Sequence, residues 1–207
     1  MTYREYTTKW NNYREQKTLN EMFAFYAAGQ NMLFPAVAAS YVFRMAAEKR
    51  RLSVSLVRQF HVLASYGTYD EQDALLSEIS PPGVYRHSKG NGCPPEECES
   101  VVSDFIQEIH GFGQNNPLFY AAYIIGEFCR FQPFSYANLE TAVMITNHFL
   151  MTRRLAPLLF LESEKKLLQE DLNIYLAQEN LQPLLARISE ISDKTAAHLF
   201  PEKRTDP

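Results

Sequence analysis

Apolar residues recur every three or four positions over most of this chain, which is the spacing of a helix with one buried face. Turn-forming residues such as Gly29 and Asn180 separate these runs. The predicted helices span residues 18–29, 36–50, 53–66, 95–112, 117–129, 139–150, 163–179 and 181–200. At Gly126, which carries no side chain, we expect a neighbouring helix to approach closely. The pattern as a whole predicts an all-α fold.

Two stretches depart from the helical pattern. Residues 1–17 are polar with scattered aromatic side chains, and they predict a loosely docked arm or a partial helix. Residues 66–94 are the least regular part, because they contain Pro81-Pro82-Gly83 and Gly90-Asn91-Gly92. The second of these runs lacks the Lys-Ser/Thr pair of a phosphate loop, so we interpret it as a plain turn.

Length and charge narrow the class of protein. A chain of 207 residues suits one domain and can bury a core. Its formal net charge of −4 and its pI near 5.8 argue against a nucleic-acid partner. The sequence contains no run of about 18 apolar residues, so it predicts no membrane span. Residues 1–5 lack the apolar core of a cleaved signal. We expect a cytoplasmic protein, or one secreted as an effector without a cleaved signal.

The three cysteines lack the spacing of metal ligands. Cys93 and Cys98 are close in sequence, whereas Cys129 is remote. We expect three reduced thiols and no metal site. His110 and His148 could join Cys129 in a catalytic group, but ordinary packing explains all three equally well. His61 lies among apolar neighbours and is interpreted as a hydrogen-bonded core histidine.

The candidate chemistry centres on residues 131–143, which predict a loop that leads into a helix. Pro133 interrupts the preceding helix, and Asn138 is a residue type that caps a helix N-terminus. The first turn of a helix offers unpaired N–H groups and the positive end of its dipole. A loop of this kind is therefore a general place for an anion to bind.

This segment resembles the signature of the Fic/Doc (Fido-fold) family, His-Pro-Phe-x-Asp-Gly-Asn-Gly-Arg-x-x-Arg. Three residues match it, namely Pro133, Phe134 and Asn138. The positions that depart from the signature are Gln132 for the catalytic His, Tyr136 for the metal-binding Asp, Ala137 and Leu139 for the two Gly, and Glu140 and Val143 for the two Arg.

Flanking residues extend the resemblance over residues 33–190. Gly83, Tyr85 and Arg86 match the Gly-x-Tyr-Arg with which the family's flap hairpin begins. The resemblance implies an all-α Fic helical bundle with a short flap hairpin, over 84–88, or a loop before the central helices. It divides the chain into an N-terminal arm and helix over 1–32, a degenerate Fic-like core over 33–162, and C-terminal helices of the same domain over 163–207 with a frayed tail.

Residues 33–44 resemble the self-inhibitory helix of many Fic proteins. The Ser of that pattern falls at Ala39, next to Ser40, and its Glu falls at Phe43. In the family this Glu pairs with the second Arg of the signature, a position that Val143 takes here. The resemblance implies that an apolar pair has replaced an ion pair. The alternative is that residues 36–50 form an ordinary amphipathic helix that is unrelated to the inhibitory helix.

The positions that differ from the signature are those that carry out catalysis in the family. An amide such as that of Gln132 cannot act as the general base near neutral pH. Tyr136 is a poor ligand for Mg²⁺, which prefers carboxylates and water. Leu139 adds bulk and Glu140 adds negative charge where phosphates would lie. The resemblance therefore implies a pseudoenzyme that does not perform nucleotidyl transfer (AMPylation), that needs no cofactor and that binds a protein, with Asn138 as the one remaining cofactor-binding position.

Two alternatives remain. The chain could be an active nucleotide-dependent transferase, for AMPylation or phosphotransfer, that uses ATP and Mg²⁺ with a non-standard motif. It could instead be a regulatory subunit of an active Fic protein or form a homo-oligomer. The second alternative predicts an exposed apolar patch, for which Phe23, Phe25 and Tyr26 are the candidates.

Overall fold

The computed structural model describes residues 1–66, 80–86 and 92–201. Within them the chain is helical, with no β-strand and one isolated bridge between Met32 and Leu161. The helices are α1 Tyr3–Arg14, α2 Leu19–Ala27, α3 Ala36–Ala47, α4 Val54–Ala64, α5 Cys98–Gly111, α6 Pro117–Phe131, α7 Asn138–Thr152, α8 Lys165–Gln178 and α9 Gln182–Leu199, with 3₁₀ turns at Pro95–Glu97 and Glu162–Glu164. The prediction of an all-α fold is confirmed.

Local sequence signals explain where several helices begin. Thr18 and Glu21 form a reciprocal capping box at the start of α2, in which each side chain accepts a hydrogen bond from the other residue's backbone N–H. The Ser53 hydroxyl accepts from the Leu56 N–H at the start of α4. Pro117 occupies the first turn of α6, where its missing N–H would have no helical partner.

The N-terminal residues are not a loosely docked arm. A second capping box, from Thr2 and Glu5, starts the regular helix α1. Tyr6 and Trp10 lie one turn apart on it and are 0% and 1% exposed. The Tyr6 hydroxyl donates to the Pro157 carbonyl at 2.6 Å. Aromatic burial and this hydrogen bond dock α1 firmly, although its sequence is polar overall.

Helix α7 is the centre of the fold. Its residues are buried from Thr141 through Met151 on every side, as is typical of a core helix surrounded by others. It packs against α3, α4 and α6, while α6 in turn packs against α8 and α9. The beginning of α7 is where the candidate motif lies, so this packing fixes the position of the motif.

The predicted flap hairpin over 84–88 lies partly outside the described residues, and the tail predicted to be frayed, residues 202–207, lies entirely outside them. The described part, 80–86, contains a turn and no strand. Gly83 has φ of +77°, which favours glycine, and a methyl group built on it would lie 2.7 Å from the Val62 side chain. This segment therefore packs closely on α4. No helix among the described residues is long and apolar enough to cross a membrane.

Candidate functional site

The candidate motif forms a tight loop between α6 and α7. Gln132 and Ala137, at its two ends, have φ of +40° and +51°. Left-handed backbone is unfavourable for residues other than glycine, so the surrounding structure must hold these two residues in place. The residues that supply the restraint come from the loop itself, from α4, and from the described residues 80–86 and 92–93.

Asn138 holds the loop rather than capping α7. The N-cap position belongs to Ala137, and no side chain caps the helix there. The Asn138 side chain reaches back to Phe134: its Oδ1 accepts from the Phe134 N–H at 3.1 Å, and its Nδ2 donates to the Phe134 carbonyl at 2.9 Å. The predicted N-cap is wrong, because both polar groups of Asn138 are used to close the loop.

Phe134 anchors the loop in the core. It is 1% exposed and stacks on the His61 ring, with centroids 3.8 Å apart and planes inclined by 8°. Tyr85 stacks on it as well, at 5.2 Å. The guanidinium of Arg58 lies 4.5 Å from the centre of the Tyr85 ring, a favourable cation–π distance. Phe134, which matches the Phe of the signature, thus links α4 to residues 80–86.

His61 connects three parts of the site through its two ring nitrogens. Its Nδ1 accepts from the Gly83 N–H at 2.8 Å, and its Nε2 lies 3.1 Å from the Tyr136 carbonyl, to which it can only donate. These bonds require a neutral ring protonated at Nε2. Burial lowers the pKa of His61 to about 4, although the Tyr136 carbonyl partly opposes the shift. The interpretation of His61 as a hydrogen-bonded core residue is confirmed, but its contact with the motif was not foreseen.

Two described residues before α5, Arg86 and Cys93, also bond to the loop backbone. The Arg86 N–H donates to the Pro133 carbonyl at 2.9 Å, and the Cys93 N–H donates to the Phe131 carbonyl at 2.7 Å. Gly92 lies so close that a methyl group built on it would be 3.0 Å from Gln132 Cβ. Of the residues matched to the flap, Arg86 thus contacts the motif through a backbone hydrogen bond and Tyr85 through ring stacking on Phe134, whereas Gly83 bonds to His61.

An ion pair lies at the N-terminus of α7. The Glu140 carboxylate, with its side chain 14% exposed, lies 3.0 Å from Lys165 Nζ at the start of α8. This hydrogen bond raises the pKa of Lys165. Glu140 lies in the first turn of α7, so the dipole and Lys165 both stabilise its negative charge. Glu140 thus brings negative charge to the anion position, and Lys165 neutralises it.

The donors at the motif do not fit a magnesium–nucleotide complex. Gln132 and Tyr136 supply no carboxylate, and Glu140 is already paired. Elsewhere, no three His, Cys, Asp or Glu residues of the described chain lie close enough together to hold a metal ion. Leu139 is buried and fills the position where the signature has a Gly.

The structure does not bring together the two residues of the inhibitory pair. Phe43 packs in a separate cluster, against Trp10 and Tyr26. Val143 is 0% exposed within the main core. Helix α3 does pack on α7, and Ser40 is half-buried on it, next to buried Ala39. The pairing fails because the aromatic residues of α1 and α2 surround Phe43.

The proposed patch of Phe23, Phe25 and Tyr26 is not an exposed surface. Tyr26 is 1% exposed and donates its hydroxyl to the Leu158 carbonyl at 2.6 Å. Phe25 stacks on Tyr13 at 4.4 Å, and Phe23 lies edge-on to Phe43. These aromatic residues attach the first two helices to the core instead.

The candidate Cys/His group is divided in the structure. His110 and His148 line one cavity of about 240 Å³, together with Arg153, whereas Cys129 does not line it. Burial lowers the pKa of His148 to about 4 and raises the pKa of Cys129. A thiol with a raised pKa is a poor nucleophile near neutral pH. Packing is the better explanation of Cys129.

Comparison with solved structures identifies the fold. The chain is similar to the crystal structure of a Fic-domain-containing signalling protein from Bacteroides thetaiotaomicron, with a TM-score of 0.59 and 17% sequence identity. The match covers 79% of this chain and 67% of that protein. No family model matches the sequence, and no curated protein matches it. The chain therefore has the Fic (Fido) fold, and the likeness at this identity extends to the fold alone.

Proposed function

We propose that this Fic-fold protein does not transfer nucleotides and that it acts by binding a protein partner. The observation that carries the proposal is the Glu140–Lys165 ion pair at the N-terminus of α7. In the signature an Arg takes the position of Glu140 and neutralises phosphate. A mostly buried carboxylate at this position repels phosphate and already has a cation as its partner.

The groups that could take up a proton support the same proposal. Gln132 has no useful pKa, and the imidazole that contacts the loop belongs to His61. Both nitrogens of His61 are engaged, and its pKa is about 4. A base must have a free lone pair within reach of the substrate hydroxyl. We therefore expect no cofactor, and ATP with Mg²⁺ would serve only an active transferase.

An exposed apolar patch beside the motif is the surface that we assign to the partner. Val62, Tyr66 and Val84 are 45%, 71% and 48% exposed. Val62 lies in the last turn of α4, Tyr66 lies two residues after the helix ends at Ala64, and Gly83 packs against Val62. Large apolar side chains that remain exposed together are typical of protein-binding surfaces.

Titration calorimetry with ATP and Mg²⁺ tests the first half of the proposal. The parent protein is expected to bind more weakly than about 100 μM, which corresponds to roughly −5.5 kcal/mol. Glu140→Gln removes the charge at the motif, whereas Glu162→Gln is the matched control, because Glu162 lies 3.9 Å from the same Lys165 but is 47% exposed. Nucleotide-specific binding by the parent tighter than that value would favour the active transferase instead.

Photo-crosslinking tests the second half. A photoreactive residue is placed at Val62 or, as a control, at Leu167 on α8, which is 41% exposed. In the cells that produce the protein we expect a discrete protein adduct from position 62 only. Equal adducts from both positions, or none from either, would contradict the assigned patch. An adduct with a second copy of the chain would identify the partner as a homo-oligomer.

A further inference from the structure

Two cysteine thiols meet beside the motif. The Sγ atoms of Cys93 and Cys98 are 2.9 Å apart, and both residues are buried with free thiols. A disulfide bond is about 2.05 Å long, so the two sulfurs need to approach by less than about 1 Å. Pro94 and the 3₁₀ turn at Pro95–Glu97 return the chain upon itself and bring them together.

The pair joins two elements that the site depends on. Cys93 is the residue whose N–H donates to the Phe131 carbonyl, directly before Gln132. Cys98 is the first residue of α5 and is 0% exposed. A bond between them would tie residues 92–93 to the start of α5. It would hold Gly92 against the motif loop.

We propose that Cys93 and Cys98 form an intramolecular disulfide when the chain meets a small disulfide oxidant such as glutathione disulfide. The thiolate of Cys93 attacks a glutathione sulfur, releases one glutathione thiol and leaves a mixed disulfide. The thiolate of Cys98 then attacks the Cys93 sulfur and releases the second glutathione thiol. The protein loses two electrons and two protons, and glutathione disulfide gains them. This site is independent of the proposed function.

Burial makes the reaction slow in the folded chain. Burial and the neighbouring Cys93 thiol raise the pKa of Cys98, so the Cys98 thiolate that completes the disulfide is scarce near neutral pH. The experiment therefore starts from the reduced, unfolded chain and lets it refold in an oxidising glutathione buffer. Free thiols are then alkylated, and the intact mass gives their number.

Cysteine variants locate the bond. Trypsin leaves all three cysteines in one peptide, residues 90–130, so peptide mapping with trypsin alone is not sufficient. Refolded Cys129→Ser is expected to be a monomer that has lost two hydrogens and takes no alkyl group. The control Cys98→Ser is expected to take alkyl groups at Cys93 and Cys129. Full alkylation of refolded Cys129→Ser, a persistent glutathione adduct or a covalent dimer would each overturn the proposal.

Hydrogen exchange tests the effect on the motif. The amide of Cys93 donates to the loop, and we expect its exchange to slow in oxidised Cys129→Ser relative to the same variant kept reduced. Because the disulfide would close the short loop from Cys93 to Cys98, the unfolding equilibrium constant should fall by about thirtyfold. Equal exchange in the two forms would show that the bond does not anchor residues 92–93.

Discussion

Protonation of His61 should destabilise the fold in mild acid. The pKa of His61 is lowered from 6.5 to about 4 by burial, so the unfolded chain takes up the proton before the folded chain does. The stabilisation is complete above pH 6.5 and is lost as the pH falls toward 4. At pH 5 the difference between the two pKa values predicts a loss of about 2 kcal/mol from this one residue.

A variant that cannot titrate isolates this contribution. His61→Gln keeps an amide N–H that can reach the Tyr136 carbonyl and removes the proton uptake. The free energy of unfolding in urea is measured at pH 8 and pH 5 for the parent and the variant. The variant is less stable at pH 8, because the Gly83 N–H and the ring stacking lose their partner, but it should lose about 2 kcal/mol less than the parent between the two pH values. Carboxylates contribute equally to both proteins and cancel.

The second buried histidine provides an independent test of the same reasoning. The pKa of His148 is also lowered to about 4 by burial, and its ring lies 5.7 Å from Phe60, away from the motif loop. His148→Gln should reduce the pH-dependent loss by a similar amount, and the effects of the two changes should add. If the parent and His61→Gln lose the same free energy between pH 8 and pH 5, the neutral, buried state of His61 is refuted.

Two further substitutions test the packing of α6 against α8 and the closure of the motif loop. Gly126→Ala would place a methyl group 2.8 Å from the Tyr175 ring and should lower the free energy of unfolding by about 1–3 kcal/mol; Gly111→Ala, which meets no atom within 4 Å, is the control and should not lower it. Asn138→Ala removes both hydrogen bonds to the Phe134 backbone and should cost about 1–3 kcal/mol. Urea unfolding measures each change, and a neutral result for Gly126→Ala or Asn138→Ala would contradict the packing described.

Local signals in the sequence predict most of the helices correctly. The capping box of Thr18 is visible as a short pattern, and the predicted helix over 18–29 is observed as α2. The sequence predicts only a loosely docked arm or a partial helix over residues 1–17, because their composition is polar, and the structure has a regular helix there. The spacing of Tyr6 and Trp10 was the signal that could have revealed it, since residues four apart share one face. A close approach at Gly126 was also predictable, but not that Tyr175 makes it.

The contacts of the candidate site could not be predicted from local rules. Glu140 and Lys165 are far apart in sequence, and only the packing of α8 near the start of α7 joins them. His61 contacts the motif for the same reason. For Asn138 the local rule itself gave the wrong position. Its residue type fits an N-cap, but Ala137, in a left-handed conformation, is the N-cap residue, and the Asn138 side chain bonds to Phe134 instead.

The matched and the changed motif residues have different physical roles in this fold. Pro133 accepts the Arg86 N–H, Phe134 fills the space between two rings, and Asn138 closes the loop. These roles involve the protein alone and need no nucleotide. The changed positions, Gln132 and Glu140, are those that the resemblance assigns to substrate chemistry. The loop is therefore held by contacts within the protein, and we expect that Gln132→His alone would not restore catalysis, because Glu140, which replaces an Arg of the signature, remains paired with Lys165.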